Sequence, residues 1–280
     1  MTTPTAPLEP VFFRHVKHQP HTPALEVEGL QVSYGQRVVL HDLNLRVNAG
    51  ERMAVVGPNV AGKSTLFKAA AGLLEPDRGE IRVFGAPPRR HACIAYLVQR
   101  SEVDWSFPVS VADVVMMGRI REVGFFHRPK PADRAFVRGC LERVGLQDLA
   151  QRQISELSGG QQQRMFIARA LAQQAELMLM DEPFTGLDLT TQEGILHLLA
   201  ELSRSRVTVM VATHDLNLAA QHFDRVLLLN GRAVACGRAS EVLTKASLTE
   251  TFGGHAHTIS TRDGLILVND TCCSGGAPHV

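Results

Sequence analysis

Gly57 to Thr65 reads GPNVAGKST, set between a short apolar run, ERMAVVGP, and a segment of helical composition, GKSTLFKAAAGLL. The pattern is G-x-x-x-x-G-K-[ST], and strand, glycine-rich loop, helix is the context in which it cradles phosphate. The reason is electrostatic. Backbone N–H groups along the loop, and the N-terminus of the helix behind it, present partial positive charge to an anion. Lys63 adds a full charge over the β- and γ-phosphates, and the Ser64 hydroxyl can ligate Mg²⁺. The nucleotide-binding candidates in the loop are Gly57, Pro58, Asn59, Val60, Ala61, Gly62, Lys63, Ser64 and Thr65.

The flanking texture is that of an α/β fold. ALEVEGLQVSYG alternates apolar and polar residues as a half-buried strand does. Gly35-Gln36 turns it into RVVLHDLNLRV, a second such strand, and the two make an antiparallel edge. EIRVFG, after the turn at Pro76–Gly79, is another strand. Between Ser101 and about Ser155 the chain is helical and more charged, with helices expected over Asp113–Arg119, Ala132–Val144 and Leu146–Gln151. This reads as an all-helical lobe, about residues 101–160, inserted in an α/β domain of residues 24–252. LMLMDEP and VTVMVATHD then resume the pattern as buried strands. Residues 1–23, rich in Pro, Thr and His, read as a flexible arm, and residues 253–280 lose clear periodicity and read as a tail.

Composition narrows the function classes. With 45% hydrophobic and 20% charged residues among 280, the chain can build a large core. A net charge of +1 gives no global electrostatic case for nucleic acid or an acidic membrane. No apolar run nears the roughly 18 residues of a bilayer span, and the first residues lack the pattern of a signal peptide. Five cysteines, without C-x-x-C, fit reduced thiols in the cytosol.

Two further segments carry chemistry. LMLMDEP places Asp181 and Glu182 at the end of a buried strand, where parallel sheets bind ligands. One carboxylate can hold a Mg²⁺ shell while the next activates a water. LSGGQQQR, Leu157–Arg164, opens a helix in which Ser158 is a good N-cap and two glycines let the backbone approach a ligand. With phosphate loop, LSGGQ and Asp-Glu strand all present, the chain resembles the ATP-binding-cassette (ABC) ATPases over roughly residues 25–245. The resemblance implies a P-loop core with a mixed sheet, an antiparallel β edge and an inserted α-helical lobe, using ATP and Mg²⁺. It also implies residue roles. Tyr34 would stack on adenine; Gln99, in YLVQR, would sense the γ-phosphate and join Ser64 and Asp181 at the metal. Ser158, Gly159, Gly160 and Gln161 would face the nucleotide held by a second subunit, and Asp188, in TGLD, would link the two sites. Glu182 would be the general base, acting with Lys63, Gln99 and His214 of VATHD.

One cassette with a short helical insertion fits the ATPase subunit of a transporter; the alternative is a soluble ABC-type switch acting on nucleic acid or another complex. QRSEVDWSFPVSVADVVMMGR and GFFHRPKPADRAFVRGCLERVGLQDLA resemble ATPase subunits of metal-ion importers for manganese, zinc or iron, sometimes as chelates. That resemblance implies a homodimer beneath integral membrane permease subunits at the cytoplasmic face of the plasma membrane. An extracytoplasmic metal-binding protein would serve it indirectly, and no nucleic acid is expected. Trp105, Phe107 and Val109 would lie near the permease. The chain departs from the family at Val60, where glycine is usual. If that position needs φ > 0, a β-branched residue is strained by about 1–3 kcal/mol. ATP affinity would then fall roughly tenfold or more, leaving a weakened but functional site. His15, His18, His21, His255, His257, Cys272, Cys273 and His279 are zinc-ligating types, but their spacings match no established site and read as tail composition.

Overall fold

The computed structural model describes residues 22–90, 93–124, 127–253, 256–261 and 264–269. β1 (Leu25–Tyr34) and β2 (Arg37–Val47) pair antiparallel, with Leu25 opposite Val47 and Tyr34 opposite Arg37. Leu25 and Val27 are buried, and so are Leu30 and Val32. That change of parity falls at a register shift between Val27 and Leu30, where Gly29 has φ 55°. An extra residue in one strand re-aims the side chains that follow it, so both apolar pairs reach the same core.

β3 (Arg52–Val56) enters the phosphate loop and α1 (Lys63–Ala70) leaves it; β4 (Arg78–Val83) then pairs with β1, giving the order β2-β1-β4. After β5 (Ile94–Leu97) come α2 (Val111–Met117), the single turn α3 (Ile120–Val123), α4 (Pro131–Arg143) and α5 (Gly159–Ala172). α2, α4 and α5 pack on one another as a helical lobe. The chain continues through β6 (Leu177–Asp181), α6 (Leu189–Arg204), β7 (Thr208–Thr213), α7 (Leu216–His222), β8 (Arg225–Leu229) and β9 (Ala233–Gly237). Two short helices follow, α8 (Ala239–Val242) and α9 (Lys245–Phe252). The larger sheet runs β5-β6-β7-β3-β8-β9, parallel except for β9.

The two-residue period of a strand divides this sheet between two cores. Met53, Val55, Leu179 and Met210 cluster with the antiparallel sheet and with Leu66 and Phe67 of α1. Ala54, Val56, Met178, Met180, Val209 and Val211 cluster with α5, α6 and the lobe. Because β6, β7 and β3 are parallel neighbours, their C-terminal ends share one edge. The phosphate loop, Asp181-Glu182 and His214 all stand there.

Two expectations about the fold meet a different outcome. The helix expected over Leu146–Gln151 is only a 3₁₀ turn, Gln147–Leu149. The carbonyls of Ala150 and Arg152 accept from Ala112 and Val111 at the start of α2, so they are unavailable to extend a helix. β10 (Ala256–Thr261) and β11 (Gly264–Asn269) pair antiparallel where no periodicity was read. Trp105 and Val109 pack against the lobe core, Trp105 edge-on to Phe166, and of that trio only Phe107 is largely exposed. Residues 1–21 with their histidines, and His255, Cys272, Cys273 and His279, lie outside the described residues, as does the side chain of His257.

Candidate functional site

Two glycines shape the loop after β3. A Cβ at Gly57 would lie 2.1 Å from the Leu229 carbonyl oxygen, a backbone atom that cannot swing away. Gly62 sits at φ 94° at the head of α1, with Leu40 Cδ2 2.6 Å from where its Cβ would be. Lys63 is buried: its Nζ donates to the carbonyls of Gly57 (2.7 Å) and Pro58 (3.3 Å) and lies 3.3 Å from Glu182 Oε1. The loop is thus folded around its own lysine.

Val60 corrects the sequence expectation. It is not among the residues with positive φ, and its side chain is 71% exposed. The left-handed position is two residues on, at Gly62, so valine carries no backbone strain and the inferred loss of ATP affinity does not follow. Val60→Gly is expected to leave ATP affinity within about twofold by calorimetry. It should lower thermal stability slightly, about 0.4–1 kcal/mol, by loosening the unfolded chain. A tenfold gain in affinity would revive the strain account.

Asp181 ends β6 with 3% exposure. The Ser64 hydroxyl hydrogen-bonds to it, and Tyr96 Oη stands 3.4 Å from Oδ2. Burial pushes this carboxyl above its ordinary range; the Ser64 hydrogen bond and Lys63 oppose the shift, while Glu182 and Glu102 add to it. A buried carboxylate held by hydroxyls beside two other acids is short of positive charge. A serine oxygen and a carboxylate already together are the hard-oxygen donor set that suits Mg²⁺.

Glu182 has φ 48°. Its N–H donates to Ala212 O and its carbonyl accepts from Thr185 N, so strand and turn hold the strained residue from both sides. The cost is about 1–3 kcal/mol. Consecutive strand side chains ordinarily point to opposite faces; here the left-handed turn lets Asp181 and Glu182 line the same cavity. His214 Nδ1 is 2.9 Å from Glu182 Oε2, and Thr185 Oγ1 is 3.4 Å from the same oxygen.

That cavity, about 360 Å³, is lined by Asn59, Lys63, Ser64, Gln99, Asp181, Glu182, Thr185 and His214. It gathers candidates from four separate segments. Thr185 is the member that sequence reading missed; its only signal is a hydroxyl three residues beyond Glu182 in DEPFTGLD. Tyr34, exposed at the end of β1, is not part of the lining, nor are Ser158, Gly159, Gly160, Gln161 and Asp188. Ser158 caps α5, with Gln161 returning its side chain to the Ser158 N–H at 2.9 Å. Asp188 caps α6, accepting from Thr191 N (2.9 Å) and Thr191 Oγ1 (2.7 Å). Among the described residues no group of three or more His, Cys, Asp or Glu could hold a metal ion, and no helix is long and apolar enough to cross a membrane.

Residues 40–185 match the ABC transporter family model. The chain belongs to this family, whose cassettes bind ATP and hydrolyse it. It is 46% identical to the manganese transport system ATP-binding protein MntB of Bacillus subtilis, over 82% of this chain and 92% of that protein. It is 47% identical to the zinc transport system ATP-binding protein TroB of Treponema pallidum, over 82% and 87%. Among solved structures, a chain of a metal-chelate type ABC transporter in an inward-facing conformation superposes with a TM-score of 0.73. It is 33% identical and is matched over 88% of this chain and 96% of its own.

Proposed function

We propose that this chain is the ATP-hydrolysing subunit of an importer for manganese, zinc or iron, free or chelated. It works as a homodimer beneath membrane permease subunits, at the cytoplasmic face of the membrane. The observation that carries the chemistry is the convergence of Lys63, Ser64, Gln99, Asp181, Glu182 and His214 on one cavity at the sheet's C-terminal edge. The cargo class rests on the relatives, whose names specify manganese and zinc.

Phosphoryl transfer to water needs positioning and charge stabilisation more than covalent help. Lys63 and the loop N–H groups hold the β- and γ-phosphates. Ser64 and Asp181, with Gln99, would hold Mg²⁺, which would supply positive charge to the phosphate oxygens. Glu182 takes the proton of the attacking water, and His214 orients it through the 2.9 Å contact. Lys63 and His214 both contact Glu182, so the base, the lysine over the phosphates and the histidine stand within one hydrogen-bonded group. Tyr34 presents an exposed ring to adenine. Ser158 to Gln161 stand outside the cavity of their own chain, which supports a reading in which a second copy delivers them to each nucleotide. An extracytoplasmic binding protein selects the cargo.

Coexpression with a multi-span permease tests this. The chain is expected to copurify with it from membranes, and the binding protein loaded with manganese, zinc or iron should stimulate ATPase activity. Stimulation by nucleic acid or a soluble complex instead would overturn the reading.

A further inference from the structure

We infer that Tyr96 is a positioning residue for the metal-holding carboxylate: its phenol hydroxyl orients Asp181 and ties it to a groove on the far side of β5. The inference rests on the assignment of Asp181 to Mg²⁺. β5 and β6 are parallel, with Tyr96 opposite Leu179, two residues short of Asp181. A long side chain leaning along the strand covers that offset, and the hydroxyl donates to Asp181 Oδ2 at 3.4 Å. The need for a donor is physical. The terminal torsion of an aspartate is broad, so a carboxylate at a strand end takes its orientation from its hydrogen bonds. Ser64 supplies one and Tyr96 the other.

Tyr96 does not line the cavity that holds Lys63 and Glu182. It lines a groove of about 390 Å³ with Leu73, Phe166, Arg169 and Gln173, where the core meets α5. One side chain therefore lines the groove with its ring and reaches a carboxylate of the cavity with its hydroxyl, and whatever displaces the ring from the groove also moves a donor from Asp181.

Tyr96→Phe keeps the ring and removes the hydroxyl. Binding of a fluorescent ATP analogue, with Mg²⁺ and with EDTA, separates metal-dependent from metal-independent affinity. The expected result is roughly a three- to tenfold loss with Mg²⁺, the effect of one hydrogen bond of ordinary net strength, as the 3.4 Å contact warrants, with no change in EDTA or in thermal midpoint. Titration of Mn²⁺ followed by its paramagnetic signal should show the same loss. Equal losses with and without metal, or none, overturn the proposal. Asp181→Asn separates the two readings: it should abolish the metal-dependent gain. If that gain survives in Asp181→Asn, the metal assignment fails, and with it any action of Tyr96 through Asp181.

Discussion

Glu182→Gln is expected to leave ATP bound and to lower turnover at least about 100-fold, the range in which a positioned general base contributes. The amide is isosteric and can still accept from His214, so the 2.9 Å contact has a replacement. What disappears is the proton acceptor and a negative charge 3.3 Å from Lys63. Lys63 keeps its bonds to the Gly57 and Pro58 carbonyls, so the loop stays folded. With one carboxylate fewer beside the incoming γ-phosphate, ATP affinity should hold or rise. Phosphate release and calorimetric titration read the two quantities separately. A loss of turnover below about tenfold would move the base elsewhere in the cavity.

Gly160→Ala carries the second large effect. Its Cβ would lie 2.2 Å from Thr191 Cγ2, closer than any real contact. Thr191 is also the residue that holds Asp188 through its N–H and its hydroxyl. α5 and the start of α6 must part, at about 1–3 kcal/mol of overpacking, and Asp188 moves with them. Turnover is expected to fall about tenfold or more while ATP binding to the isolated chain is unchanged, because Gly160 and Asp188 lie outside its cavity. Thr191→Ser removes only the offending methyl. The next atoms, Thr191 Cβ and Oγ1, stand at 3.5 and 3.6 Å, ordinary contact distance. The double variant should regain most of the lost turnover. Failure to regain it would assign the defect to the glycine backbone itself, not to helix packing.

The features read correctly from sequence are those whose signal is local. LMLMDEP and VTVMVATHD announce buried parallel strands because apolar residues fill both faces, and the loop glycines announce tight backbone. Ser158 shows its capping in the three residues that follow it, ending in Gln161. The features missed depend on closure in space. Val60 was judged by the usual residue at its position, but the sign of φ is set by how the loop joins α1, and Gly62 takes the left-handed turn. Nothing in LMLMDEP marks Glu182 as left-handed; Ala212 of the neighbouring strand and Thr185 hold it so. Gly160 reads as a residue for approaching a ligand, whereas its nearest constraint is a methyl thirty-one positions away in sequence, on α6. The 3₁₀ turn at Gln147–Leu149 depends on N–H groups of α2 that no window around it contains.

Transport by the reconstituted complex tests the central claim most directly. The chain, its permease and a metal-loaded binding protein are assembled in lipid vesicles with ATP on the side of this chain. Movement of manganese, zinc or iron across the bilayer is then followed. ATP-dependent accumulation of one of these metals is expected, and it should be abolished when Glu182→Gln replaces the natural chain. ATP hydrolysis without metal movement, or uptake untouched by Glu182→Gln, would contradict it.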